Sequence, residues 1–75
     1  MGLLVRQALL DALEARYEAE VSAAHAIIKV YLENPVGIGE HPQHLDELDK
    51  QFGKIAEAED KLKALEDFQL DRKEM

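Results

Sequence analysis

Metal-ligand chemistry in this 75-residue chain is concentrated just past its middle, in Glu40, His41 and His44, with Asp46 and Glu47 close by. His41 and His44 are three apart at what reads as a helix start, a spacing that lets both imidazoles face one ion. The Glu-x-x-His motif that di-iron bundles carry in duplicate is absent. A histidine in a first helical turn ordinarily serves backbone or solvent, so no bound metal and no cofactor is expected. Should a metal bind, His41, His44 and Glu40 are the candidate ligands.

Other reactive patterns are sparser. His25 falls on a polar helix stripe and reads as an exposed side chain. Glu57, Glu59 and Asp60 crowd together, but their spacing to Lys61 and Lys63 makes them a solvated face with i,i+4 pairs, Glu57 to Lys61 and Glu59 to Lys63. Paired-carboxylate catalysis needs a concave, water-excluding pocket, which a narrow two-helix chain does not offer. Gly37-x-Gly39 lacks the lysine and the preceding strand of a phosphate loop. Ser22 is the only serine and there is no cysteine, so no nucleophile constellation exists. The expectation is a protein that is not an enzyme.

Two long helices must position these residues. The first should run over about 3–33, stopped by Asn34-Pro35, since proline has no amide proton and disfavours helical backbone in the residue before it. Residues 34–41 form the loop, with Gly37 and Gly39 permitting a tight bend, and Pro42 sits well in the first turn of the next helix. The second helix should run over about 42–70 with Leu45, Leu48, Phe52, Ile55, Ala58, Leu62 and Leu65 in one stripe, its polar tail from Asp67 fraying. At 1.5 Å per residue each helix spans roughly 45 Å, and the short connector folds them into an antiparallel hairpin forming one domain. Bending near Ile38 sets Leu13 near Leu62, Val21 near Ile55, Ala24 near Phe52, Ile28 near Leu48 and Tyr31 near Leu45. Tyr17 then lies level with Glu59. Gly53 inside the second helix marks either close helix approach or an unoptimised site.

The first helix is apolar on two sides. Leu10, Leu13, Tyr17, Val21, Ala24, Ile28 and Tyr31 line one; Ala8, Ala12, Ala15, Ala19, Ala23, Ala26 and Val30 line a second, roughly 160° around the helix. The chain's own second helix can cover only one of them. Leu9, Ile27 and Val30 argue that the alanine side is covered too, because a lone hairpin would leave them wet. The fold expected is therefore all-α: a two-helix, coiled-coil-like hairpin that assembles as a homo-oligomeric four-helix bundle, a dimer before a tetramer, parallel or antiparallel. Arg16 and Glu20 interrupt the apolar arc and can pair within the helix or across a symmetry axis.

Composition bounds the function classes. A chain this short buries too little to stand comfortably alone, and disulfides are unavailable without cysteine, which leaves assembly or a metal as the staple. Sixteen acidic against nine basic residues give a formal charge of −7, which disfavours direct nucleic-acid or anionic-membrane binding. Charged residues interrupt every apolar window approaching ~20 residues, and Met1 to Arg6 has neither a basic leader nor a myristoylation pattern. A soluble, cytoplasmic protein is expected.

The segment Tyr31-Leu32-Glu33-Asn34-Pro35-Val36-Gly37-Ile38-Gly39-Glu40-His41-Pro42-Gln43-His44, followed by Ala56-Glu57-Ala58-Glu59-Asp60-Lys61-Leu62, resembles small uncharacterised helical proteins of contractile-tailed phages of marine cyanobacteria. The resemblance implies a phage-encoded protein acting in a bacterial host cytoplasm; it supplies no activity, cofactor or catalytic residue. The function expected is an oligomeric interaction or scaffold module whose partner is first of all itself. The loop carrying Val36, Ile38, Glu40 and His41 is the candidate docking site for another protein, unless Val36 and Ile38 simply cap the hairpin on Tyr31 and Leu45. An acidic decoy for a nucleic-acid-handling protein is the alternative, and a metal-binding protein through His41 and His44 the second.

Overall fold

Alanine, leucine and glutamate lead the first half of the chain and glutamate, leucine and lysine, with aspartate, the second; all but aspartate are residues that lose little on entering a helix. The computed structural model describes residues 2–33 and 43–74, and all of them lie in two helices, α1 (Gly2–Glu33) and α2 (Gln43–Glu74). Asp46 in the first turn of α2 complements the positive end of its dipole. Rather than fraying after 70, α2 continues to Glu74. The expected turn chemistry of Asn34 to Pro42 lies outside the described residues.

The helices run antiparallel. Tyr31, near the end of α1, meets His44 at the start of α2 with ring centroids 5.4 Å apart in an edge-on arrangement, and Tyr17 in mid-α1 meets Lys61 in the second half of α2. The molecule measures 55 × 19 × 15 Å with a radius of gyration of 17.1 Å, against about 11 Å for a compact chain of this length. It is a rod one helix pair thick.

The core is correspondingly thin. Ala24, Ile28 and Ile55 form its buried centre, with Val21 and Leu48 packed against it, and Ala58 is buried further along α2. Every member of the first α1 face, Leu10, Leu13, Tyr17, Val21, Ala24, Ile28 and Tyr31, is buried or half-buried. The expected neighbours of Val21 and Ile28, namely Ile55 and Leu48, meet in this core.

On α2 the stripe is turned by one residue at its start. Phe52 is 57% exposed and Leu45 is exposed, while Gln51 is 3% exposed and takes the place expected of Phe52. Leu48, Ile55, Ala58, Leu62 and Leu65 follow one another at steps of seven, three, four and three, and position 51 is where that row passes between Leu48 and Ile55. A rigid helix cannot also bury the residue about 100° further round. Tyr31 packs on His44, the residue before the exposed Leu45. Tyr17 meets Lys61, whose four-carbon stem reaches along the helix to the ring.

Gln51 is poorly served where it sits. Its Nε2 donates to Glu47 Oε1 at 3.4 Å, a long bond, and its buried Oε1 has no hydrogen-bond partner. Leaving a buried carbonyl unsatisfied costs about 1–3 kcal/mol. Gln51→Leu is therefore expected to raise the unfolding free energy by about 1–3 kcal/mol in urea titration at one fixed protein concentration; a loss of stability would show that Gln51 does something the apolar residue cannot. Gly53 does not mark close helix approach, since a Cβ built there meets nothing within 4 Å. Gly53→Ala should then stabilise the helix by about 1 kcal/mol, seen as a raised Tm.

Candidate functional site

The residues expected to cover the second side of α1 all face outwards. Ala8, Ala12, Ala15, Ala19, Ala23, Ala26 and Val30 are exposed, and so are Leu9 and Ile27 beside them. Their position follows from the core: with Tyr17, Val21, Ala24, Ile28 and Tyr31 turned towards α2, the residues half a turn away have no element of the chain left to meet. This face is not merely small. Val5, Leu9 and Val30 are 61, 62 and 63% exposed, so the strip carries large apolar side chains at both ends and alanine in its middle. Isolated exposed apolar residues are ordinary, whereas a row along a whole helix is the kind of patch that marks contact with another molecule.

The total exposed area is large for a chain of this mass, as a rod's must be. The chain exposes 6183 Å², whereas a compact monomer of 8.5 kDa exposes roughly 4,650 Å². The surplus of about 1,500 Å² per chain is on the scale of the roughly 800 Å² that each partner buries in a standard interface.

The two flanks of the hairpin differ in charge. One carries Glu20, Lys54, Glu57 and Lys61 around an open cleft of about 330 Å³, and further along it Arg6, Leu9, Leu10 and Phe68 line a second, largely apolar cleft of about 270 Å³. Asp11, Glu18, Glu59 and Glu66 each follow a buried or half-buried residue by one position, which places them on the opposite flank. His25, Leu32, Leu45 and Phe52 continue that flank towards the loop end, and all four are exposed. Sequence reading missed both the Arg6–Phe68 cleft and the exposed Leu45–Phe52 edge; the first depends on the ends of two helices meeting, and the second on the rotational setting of α2.

Of the expected surface pairs, Glu57 to Lys61 forms, with Nζ 3.1 Å from Oε1 and both groups largely in solvent. The same Nζ lies 5.5 Å from the centroid of the Tyr17 ring, within cation–π range. This contact ties α2 to α1 at mid-length. The hydrogen bond to Glu57, then the charge of that carboxylate, with Glu20 and Tyr17 adding less, hold the Lys61 ammonium above the ordinary lysine range against a small opposing effect of burial.

The expected metal donors are only partly in view. Glu40 and His41, like Val36 and Ile38 of the candidate docking loop, lie outside the described residues. His44 packs its ring on Tyr31. Among the described residues no three His, Cys, Asp or Glu side chains converge, and no helix is long and apolar enough to cross a membrane.

Comparison of the chain with protein-family models, with curated proteins and with solved structures finds no match. The outward face of α1 is therefore judged on its own geometry.

A raised lysine pKa stabilises the fold fully below the unfolded lysine value of about 10.4 and ceases to do so as pH rises through the folded value. Glu57→Gln should return the Lys61 pKa towards ordinary, read by NMR of the side-chain amine. Any stability gap between the variant and the parent should be flat around neutral pH and close at strongly alkaline pH. An unchanged Lys61 titration would show that Glu57 is not its controlling partner.

Proposed function

We propose that this protein is a self-associating helical module. Its α1 forms the centre of a homo-oligomeric four-helix bundle, a dimer in the first instance, and the 36–44 loop is displayed for a partner protein. The observation that supports this reading is the long exposed apolar row on α1, interrupted by Arg16, in a chain whose own core is one helix pair thick. Burying such a row at roughly 25 cal/mol per Å² is the largest stabilisation open to the molecule. An interaction or scaffold role fits the same geometry, because a thin rod whose clefts at Glu20–Lys61 and Arg6–Phe68 stand open to solvent offers chiefly surfaces.

The acidic flank favours a second reading. Asp11, Glu14, Glu18, Asp49, Glu59 and Glu66 share one side with Lys29 and Lys63, while Arg6, Lys54 and Lys61 share the other with Glu20 and Glu57, so the first side is the more acidic of the two. An accessory or decoy that occupies a basic, nucleic-acid-handling protein would use that side, and its binding would weaken steeply with salt.

Sedimentation equilibrium across a concentration series tests the first reading. A reversible dimer is expected, and Ala19→Glu in the middle of the row should raise its Kd by ten-fold or more, equivalent to about 1.4 kcal/mol. A well-folded monomer at every concentration would sink the proposal.

A further inference from the structure

The self-association reading leaves open how two copies lie on one another, and the exposed row itself discriminates. Followed at alternating steps of four and three, the outermost residues of α1 are Val5, Leu9, Ala12, Arg16, Ala19, Ala23, Ala26 and Val30, all exposed. That is the spacing of a coiled-coil seam, repeated on the back of a helix whose front already makes one. Its span from Val5 to Val30 is roughly 38 Å, and alanines at its centre allow helix axes to approach to about 8 Å. We propose that the occupant of this face is α1 of a second copy of this chain, laid antiparallel.

Three features of the row carry the orientation. The first is charge. A parallel pair in register stacks Arg16 on Arg16 of the partner subunit in one layer of an alanine-lined contact, two like charges with little solvent between them. The antiparallel pair separates them: Arg16 faces Ala19 of the partner subunit and lies level with Glu20 of the partner subunit, so opposite charges meet twice about the two-fold axis. The second is volume. Antiparallel pairing sets Val5 against Val30 of the partner subunit, Leu9 against Ala26 of the partner subunit and Ala12 against Ala23 of the partner subunit, which spreads bulk over the contact. Parallel pairing sets Leu9 on Leu9 of the partner subunit and leaves alanine on alanine for most of the remainder, wedging one end apart while the centre is left loose. The third is the helix dipole, which favours antiparallel neighbours.

The area is adequate as well. A standard interface removes roughly 800 Å² per partner, about half of the surplus that the isolated hairpin exposes. The cleft between Arg6, Leu9, Leu10 and Phe68 borders the strip at Leu9, so the ends of the two hairpins extend the contact beyond the α1 pair.

Because the chain has no cysteine, disulfide trapping reads the orientation directly. Full-length Ala12→Cys and Ala23→Cys variants are oxidised mildly, separately and as an equimolar mixture, after sedimentation has been run on each. Paired Cα atoms must come within about 7 Å to be bridged. In the antiparallel dimer positions 12 of the two copies are about 16 Å apart along the axis, so neither variant should link to itself. The mixture should give the covalent dimer at least ten-fold more than either variant alone. Ala12→Cys linking to itself with no gain in the mixture would overturn the orientation while leaving self-association standing. A dimer in sedimentation that cross-links in no combination would overturn the α1 contact itself. Absence of any dimer would remove the self-association reading and this proposal together.

Discussion

Two helices have one interface between them. Each can turn a single stripe towards the other, and everything else about either helix must answer to water or to another molecule. In this protein the shared stripe is small, centred on Ala24, Ile28 and Ile55, and the remainder of the 55 Å rod is held by half-buried residues at regular steps on both sides of it. Because the stripe is narrow, its phase on each helix decides which residues are sheltered and which are displayed.

That constraint explains the least comfortable detail of the core. Leu48, Ile55, Ala58, Leu62 and Leu65 outvote Phe52, and the helix turns so that Gln51 goes in with its carbonyl unmet while a phenylalanine stays largely out. Four-and-three spacing over five aliphatic positions outweighs the burial of one aromatic ring. Buried polar residues on such seams are best attested as devices that hold register, and Gln51 is the buried polar residue of this one.

The same constraint shapes the surface. Once α1 has committed Tyr17, Val21, Ala24, Ile28 and Tyr31 to the hairpin, its alanine-rich back cannot be covered from within. Charge is sorted as a by-product: residues one step beyond the stripe fall on one flank, where Asp11, Glu14, Glu18, Asp49, Glu59 and Glu66 outnumber Lys29 and Lys63, whereas the other flank carries Lys54 and Lys61 beside Glu20 and Glu57. Tyr17 under the Lys61 ammonium is the polar counterpart of the apolar core, a cross-helix contact at mid-length where aliphatic packing is thin.

The periodicity of α1 was legible before any coordinates, because seven apolar residues at three- and four-residue steps admit a single buried face, and the alanine row half a turn away could then only point outwards. Two helices, their antiparallel return and the meeting of Val21 and Ile28 with Ile55 and Leu48 followed from that spacing and from the placing of Pro35. The phase of α2 did not follow. Residues 51 and 52 are neighbours, hydrophobicity prefers the phenylalanine, and the preference is overturned by the common phase of Leu48, Ile55, Ala58, Leu62 and Leu65 once the whole helix docks on α1. The pairing of Tyr31 with His44, the reach of Lys61 to Tyr17 and the charge difference between the flanks belong to the tertiary structure for the same reason: each depends on the rotation of one helix about its axis relative to the other, a single angle set by all the packed residues together.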